Sequence, residues 1–466
     1  MTIADLWTIM PLLLLACGSV LVLILGAIVP GRYGTAIGVA VCAGAALWAL
    51  QTPPRPLAPT LGVAFTPFAR SFVVLFAVTA LLSLLLAHDH ADRQGLEGEE
   101  YPATILFGAF GMGVVASAAN FLTLFLGLEA LTFAFYILVA YDRNRPASGE
   151  AGLKYLLMGA VSAAFVAFGI ALLYGATGSL EIGRAVAASA AGGGIALAGW
   201  GLLLAGLAFK VSLAPAHLWT PDVYQGGPTP VTAFLAAGSK GAAIALFLLI
   251  LPPLGGIGPL RAPLWGLALL SMAVGNLAAL LQPNVKRMLA YSSVAQMGYV
   301  ALALLSGGRG YEAAAFYAVA YGVMSLAAFG ALASLEQERP LEQVDELRGI
   351  GYRQPFQGVV LAVAMFALAG IPPTVGFAGK FAIFFAALRA GETPLAIIGI
   401  LTAAASAYYY LRVVVNLYMK PAEEAAPGPL PTPAEAVCLG TVTVAILALG
   451  VWPGPLFDLV AAILKA

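Results

Sequence analysis

GLAFKVSLAPAHLWTPDVYQGGPTP, residues 206–230, begins as a membrane span and then breaks its own pattern. Lys210 stands in apolar sequence, and Pro215 follows where the helix should continue. Proline removes a backbone donor and clashes with the carbonyl four residues back. Backbone groups freed in this way are tolerated at membrane depth only where protein buries them or a wet cavity meets them. A lysine next to such a break sits where water can approach a buried amine. The stretch therefore points to a broken transmembrane helix with a titratable group at the break.

The composition agrees. Of 466 residues 61% are hydrophobic and 9% charged, with a mean hydropathy of +0.95, against roughly 25% charged in a soluble domain. A helix needs about 20 apolar residues to cross a bilayer, and about fourteen runs approach that length: 7–29, 34–51, 65–87, 101–119, 121–141, 151–175, 195–216, 229–252, 263–282, 288–306, 311–335, 355–373 with a continuation to 390, 395–418 and 434–463. The runs do not alternate apolar and polar residues as a membrane β-barrel does. The expected fold is an all-α polytopic membrane protein. Net formal charge is zero, so no basic patch or charged tail points to nucleic acid. Cys17, Cys42 and Cys438 lie singly in apolar runs, and no CxxC pair offers a metal or cluster site. The first apolar run, 12–29, is long enough to span and shows no clear cleavage site, so no cleavable signal is expected.

Runs four to eight and nine to thirteen follow a similar rhythm, offset by about 165 residues, with the fourth member interrupted in each. Pro215 and Pro221 interrupt the first set; AGIPPTVGFAGK, residues 369–380, interrupts the second. Five is an odd number of crossings, so the second set enters from the opposite face as an inverted repeat. The expected division is an N-terminal three-helix segment (1–98), two five-helix repeats (99–254 and 262–420) and a C-terminal helix (433–466). Lys and Arg concentrate in odd-numbered connections: Arg32, Arg93, Arg143, Arg145, Lys286, Arg287, Arg339, Arg348, Arg353 and Lys420. Even-numbered connections hold Arg55, Arg184, Arg261 and Arg309, with Arg389 near one. The positive-inside rule makes the odd connections cytoplasmic and places both termini outside.

Ionisable residues within a span are costly and usually mark an ion pathway. Glu129 and Lys240 fall mid-span, Lys210 precedes the first break, and Lys380 follows the second. Small residues around Lys240 (Gly238, Ser239, Gly241) permit close helix packing or water. The bland alternatives are a structural hydrogen-bonding acid at Glu129 and a helix-end anchor at Lys380. Lys154 lies near a span start with Glu150 four residues before it, which equally suits a surface pair. His217, just past the break, is either a proton relay or a structural hydrogen bond. Asp222 reads as a cap for the following turn, and HDHAD (88–92) as solvated loop at a span end rather than a metal site.

NFLTLFLGLEALTFAFYILVAY (120–141), EAGLKYLLMGAVSAAFVAFGIALLYGATGSL (150–180), FKVSLAPAHLWTPDVYQGGPTPVTAF (209–234), NVKRMLAYSSVAQMGYV (284–300) and LAGIPPTVGFAGKF (368–381) resemble the antiporter-like membrane subunits of bacterial respiratory complex I. That family is shared with Mrp-type cation/proton antiporters and membrane-bound hydrogenases. The resemblance covers most of the chain and is densest from about 100 to 420. It matches Glu129, Lys154, Lys210, Lys240 and Lys380 to the family's proton-translocating row. Lysine at 240 and 380 favours the N-type branch, and the absence of a long lateral helix argues against the L-type. Thr66, in AFTPFARSF (64–72), stands where many relatives carry an acid. The resemblance implies redox-driven proton movement in a bacterial inner membrane. Partners would be other complex I membrane subunits, including antiporter-like paralogues, and the lipid bilayer. NADH, FMN, iron–sulfur clusters and quinone are implied in the whole complex and none in this chain. The expected mechanism is electrostatic: Glu129 beside Lys210 stabilises its ammonium, and movement of the acid toward Lys154 lets the proton pass to Lys240, then Lys380. A subunit of a Mrp antiporter or hydrogenase, a standalone secondary transporter and a membrane scaffold are the alternatives.

Overall fold

Lipid offers no partner for backbone polar groups, so each apolar run must satisfy its own by forming helix. The computed structural model describes residues 2–29, 33–55, 57, 59–96, 98–189, 193–252, 258–336, 341–421 and 430–465; Arg32 and Arg339 lie outside them. Its main helices are α1 (Ile3–Ile28), α2 (Gly34–Gln51), α3 (Pro67–Gln94), α4 (Glu100–Ala116), α5 (Phe121–Val139), α6 (Pro146–Thr177), α7 (Gly193–Val211), α8 (Trp219–Gly226), α9 (Thr229–Ile250), α10 (Arg261–Leu280), α11 (Val285–Leu305), α12 (Gly308–Leu335), α13 (Pro355–Ala369), α14 (Val375–Arg389), α15 (Thr393–Met419), α16 (Pro433–Val451) and α17 (Gly454–Lys465). Among the described residues, twelve helices are long and apolar enough to cross a membrane, and α4 and α13 are shorter apolar helices. This is a polytopic all-α membrane protein. α7 with α8, and α13 with α14, are the two broken pairs. The final run is not one span: it divides at Trp452 and Pro453 into α16 and α17, because proline disfavours helical backbone before it.

Contacts between connections fix the sense of each crossing. At one end, Arg93 meets Glu435 at 2.5 Å, Arg145 meets Glu342 at 3.5 Å, Thr229 meets Glu336 at 2.9 Å and Asp345 meets Lys420 at 3.8 Å. All these residues belong to odd-numbered connections or flank them. At the other end, Asp5 meets Arg55 at 3.4 Å, Arg261 meets Glu392, and short backbone bridges join Val63 to Ala118 and Asn120 to Glu181. α4 and α10 therefore run in opposite directions, as do the later members of the two sets.

α9, α11 and α12 are the innermost spans, buried on nearly every side. Neighbours approach closely where a residue lacks a side chain. A Cβ on Gly127 would lie 2.8 Å from the Val115 nitrogen of α4, and one on Gly275 would lie 2.5 Å from the Ala295 nitrogen of α11. Such contacts are how membrane helices associate without a hydrophobic drive between them. α9 holds a π-helical turn at Leu235–Ser239, directly before Lys240, a distortion often found at functional sites. Thr66 caps α3, accepting a bond from the Ala69 amide at 3.1 Å.

Candidate functional site

Both breaks end their first helix in the same way. At the end of α7, Leu213 N–H donates to Ala208 O at 2.8 Å and Ser212 N–H to Phe209 O at 3.0 Å. At the end of α13, Ile371 N–H donates to Phe366 O at 3.0 Å and Gly370 N–H to Ala367 O at 3.0 Å. These are Schellman closures, which need a left-handed residue just past the helix. Gly370 takes that conformation at φ 84°; at the first break Ser212 takes it at φ 68°, the one non-glycine residue with positive φ among those described. A side chain in this region costs about 1–2 kcal/mol, so the hydroxyl of Ser212 needs a reason.

Lys240 supplies it. Its Nζ donates to Ser212 Oγ, which also accepts from Thr220 at 2.7 Å. The amine lies 4.8 Å above the Trp219 ring, and that indole donates to Phe209 O at 2.9 Å, a second bond to the carbonyl that Ser212 N–H already reaches. Lys240 is fully buried, and among the described residues no carboxylate pairs with it. Lys210, two residues before Ser212, donates to Glu129 Oε1 at 3.2 Å and to Thr132 Oγ1 at 2.9 Å. Thr132 shares the Glu129 face of α5, three positions on. The pair is asymmetric: the Lys210 side chain is 5% exposed and that of Glu129 32%, so the amine is enclosed and the acid is partly uncovered.

At the second break Lys380 reaches back across the gap. Its Nζ donates to Leu368 O at 2.7 Å and Ala369 O at 3.3 Å, carbonyls that a helix end leaves without internal partners. The amine also lies 5.4 Å from the Tyr299 ring centre. Leu368 O accepts a second bond, at 3.1 Å, from Gln296 of α11. Gln296 is a hub: it donates to Tyr410 Oη at 3.0 Å and accepts from Tyr317 at 2.6 Å, and Tyr410 contacts Ser292. All of these side chains are buried.

Lys154 does not join Glu129 in this structure. It pairs with Glu150 at 2.7 Å and Asp222 at 2.9 Å, so the surface-pair reading holds in part. Asp222 is not a cap: its other oxygen accepts from Arg287 at 2.6 Å, tying α6, α8 and α11 together. His217 is buried against Tyr291, its Nδ1 without a well-formed hydrogen bond.

Residues 118–406 match the family of NADH:quinone oxidoreductase/Mrp antiporter transmembrane proteins. The chain belongs to that family. It is 84% identical to NADH-quinone oxidoreductase subunit N of Geobacter metallireducens over the full length of both. A chain of respiratory complex I from Thermus thermophilus with bound aureothin shares 37% identity and superposes with a TM-score of 0.84, over 97% of this chain and 99% of that one. A chain of the Mrp complex from Dietzia, 20% identical, matches in fold with a TM-score of 0.83 over 100% of this chain and 97% of that one.

Two further expectations fail against this structure. HDHAD is not solvated loop but the last turns of α3, with His90 buried and Asp89 bonded to Thr432. Its polar composition suggested solvent because α12 and the start of α16, which cover it, are distant in sequence. Lys286 is likewise no loop charge: it lies in the first turn of α11, buried, donating to Gly227 O at 3.0 Å and Thr229 Oγ1 at 3.2 Å. Thr132, Ser212, Trp219 and Gln296 escaped sequence reading. Only the spacing of Thr132 from Glu129, and of Ser212 from Lys210, could have signalled them.

Proposed function

We propose that the chain is subunit N of a bacterial NADH-quinone oxidoreductase and moves protons along Glu129, Lys210, Lys240 and Lys380, driven by redox chemistry in other subunits. One observation carries the reading: the Lys210–Glu129 pair sits at the first helix break, two residues from the serine that holds Lys240. At 3.2 Å and an effective dielectric near 20, the carboxylate stabilises the ammonium by roughly 5 kcal/mol. Withdrawing or protonating the acid removes that support, and a desolvated ammonium then gives up its proton more readily. Ser212 bridges toward Lys240. The Gln296, Tyr317 and Tyr410 network surrounds the far terminus of the row at Lys380.

Lys154 enters as the alternative partner of Glu129. To reach it, Lys154 must first release Asp222, so the Glu150–Lys154–Asp222–Arg287 cluster is the latch on the acid's movement. His217 lies between the break and α11 as a secondary relay. The repeats occupy 99–254 and 262–420, supported by their matched closures and opposed senses. The chain resides in the bacterial inner membrane with its N-terminus periplasmic, among other complex I membrane subunits. Glu129→Gln tests the reading, since it keeps size and hydrogen bonding but removes the charge. In assembled complex in vesicles, protons moved per electron fall while redox turnover continues; wild-type pumping would remove Glu129 from the mechanism.

A further inference from the structure

A second group of buried ionisable side chains lies away from the row, at the end where the odd-numbered connections gather. Glu336, the residue that ends α12, accepts from Thr229 Oγ1 at 2.9 Å. Thr229 in turn accepts from Lys286 Nζ at 3.2 Å. On the other side of Glu336, its second oxygen lies 4.0 Å from His90 Nδ1. The four residues come from α3, α9, α11 and the end of α12, and all are buried. Burial pushes the Glu336 carboxyl up from its ordinary value, opposed by Lys286 and by the Thr229 hydrogen bond. Arg93, Arg145, Glu342 and Glu435 form the charged surround: Arg93 is held by Glu435, and Arg145 by the half-exposed Glu342.

α11 connects this group to the row. Ser293 lies two helical turns past Lys286 on the same face, about 10 Å along the axis, and Gln296 about 15 Å along it. Ser293 is fully buried, as is Tyr224 of α8 beside it, and neither hydroxyl completes a hydrogen bond with the protein. Buried hydroxyls are seldom left so. Gln296 shares the Leu368 carbonyl with Lys380. Polar groups thus stand at intervals along α11 between the Glu336 cluster and Lys380, none of them hydrogen-bonded to Glu129 or Lys210.

We propose that Glu336, flanked by His90 and linked through Thr229 to Lys286, is a proton-uptake carboxyl that loads the Lys380 end of the row along α11. This rests on the row reading. Water at the rim protonates Glu336 and leaves as hydroxide. The carboxylic acid gives its proton to the Thr229 oxygen as the Thr229 hydroxyl proton passes to the neutral Lys286 amine. The products are a carboxylate and an ammonium; only O–H and N–H bonds change. The ammonium then releases its proton toward Ser293 and Gln296.

Glu336→Gln keeps the volume and an acceptor for Thr229 but holds no exchangeable acid proton. In assembled complex the expected results are a fall in protons moved per electron and loss of one protonated-carboxyl band from the redox-induced infrared difference spectrum. Glu336→Asp should retain that band at a shifted frequency and recover pumping. If Glu336→Gln does not assemble, Glu336→Asp carries the test, and an unshifted spectrum overturns the proposal. Wild-type pumping and spectrum in Glu336→Gln overturn it too. Lys210→Ala, measured alongside, separates the two readings. Normal pumping there overturns the row, whereas impaired pumping there with normal pumping in Glu336→Gln overturns this uptake site alone.

Discussion

Ser212 occupies a left-handed position that glycine fills at the other break, and it serves both the backbone closure and, through its hydroxyl, Lys240. Ser212→Gly relieves about 1–2 kcal/mol of strain at positive φ but leaves the buried Lys240 amine and Thr220 hydroxyl without their acceptor, at about 1–3 kcal/mol, so stability should stay unchanged or fall slightly. The variant should lower pumping, because Lys240 loses its hydroxyl partner. Thermal stability and protons per electron, measured on the same preparation, check both halves. Lys240 makes the converse case. A buried amine without a counter-ion is expensive, so Lys240→Met should be neutral or stabilising by about 1–4 kcal/mol, yet pumping should fall. A loss of stability there would mean that the amine serves structure. The charged members of the row were legible in the sequence because a Glu or Lys in apolar surroundings is conspicuous. Their neutral partners were not: serine, threonine and glutamine are ordinary in spans, and Thr132 meets Lys210 from 78 residues away. Asp222, His90 and Lys286 were misread for the same reason, since their partners come from distant helices.

At the scale of elements, the breaks were foreseeable and their closures were not. Prolines announced that the helices must stop, but α7 stops at Val211, four residues before Pro215, because the Schellman hydrogen bonds close it there. Gly370 is the equivalent point in α13. A Cβ there would lie 3.0 Å from Lys380 Cδ, and the left-handed backbone adds about 1–2 kcal/mol of strain. Gly370→Ala should therefore lower the thermal stability of the assembled complex and disturb pumping through Lys380; a variant as stable and active as wild type would count against this geometry. The π turn before Lys240 left no trace in the sequence, since five apolar and small residues fit an ordinary helix equally well.

At the scale of the molecule, hydropathy sufficed for a polytopic helical fold, and the alternation of connections between two ends appears in the contacts. Which end faces the cytoplasm is proposed from the count of lysines and arginines alone. Cysteines placed at Arg143 or Arg145 should be labelled from the cytoplasmic side by an impermeant reagent, and labelling from outside would invert the proposed path. The proposed path turns on Lys210, the enclosed amine between the more exposed Glu129 and the rest of the row. Lys210→Ala deletes the proposed proton carrier, and Lys210→Arg keeps a charge that does not release its proton even when buried. The deciding measurement is protons translocated per electron in membrane vesicles, normalised to assembled complex. Both variants should fall below wild type, with alanine the lower of the two; wild-type pumping by both would contradict the proposed path and make Lys210 structural.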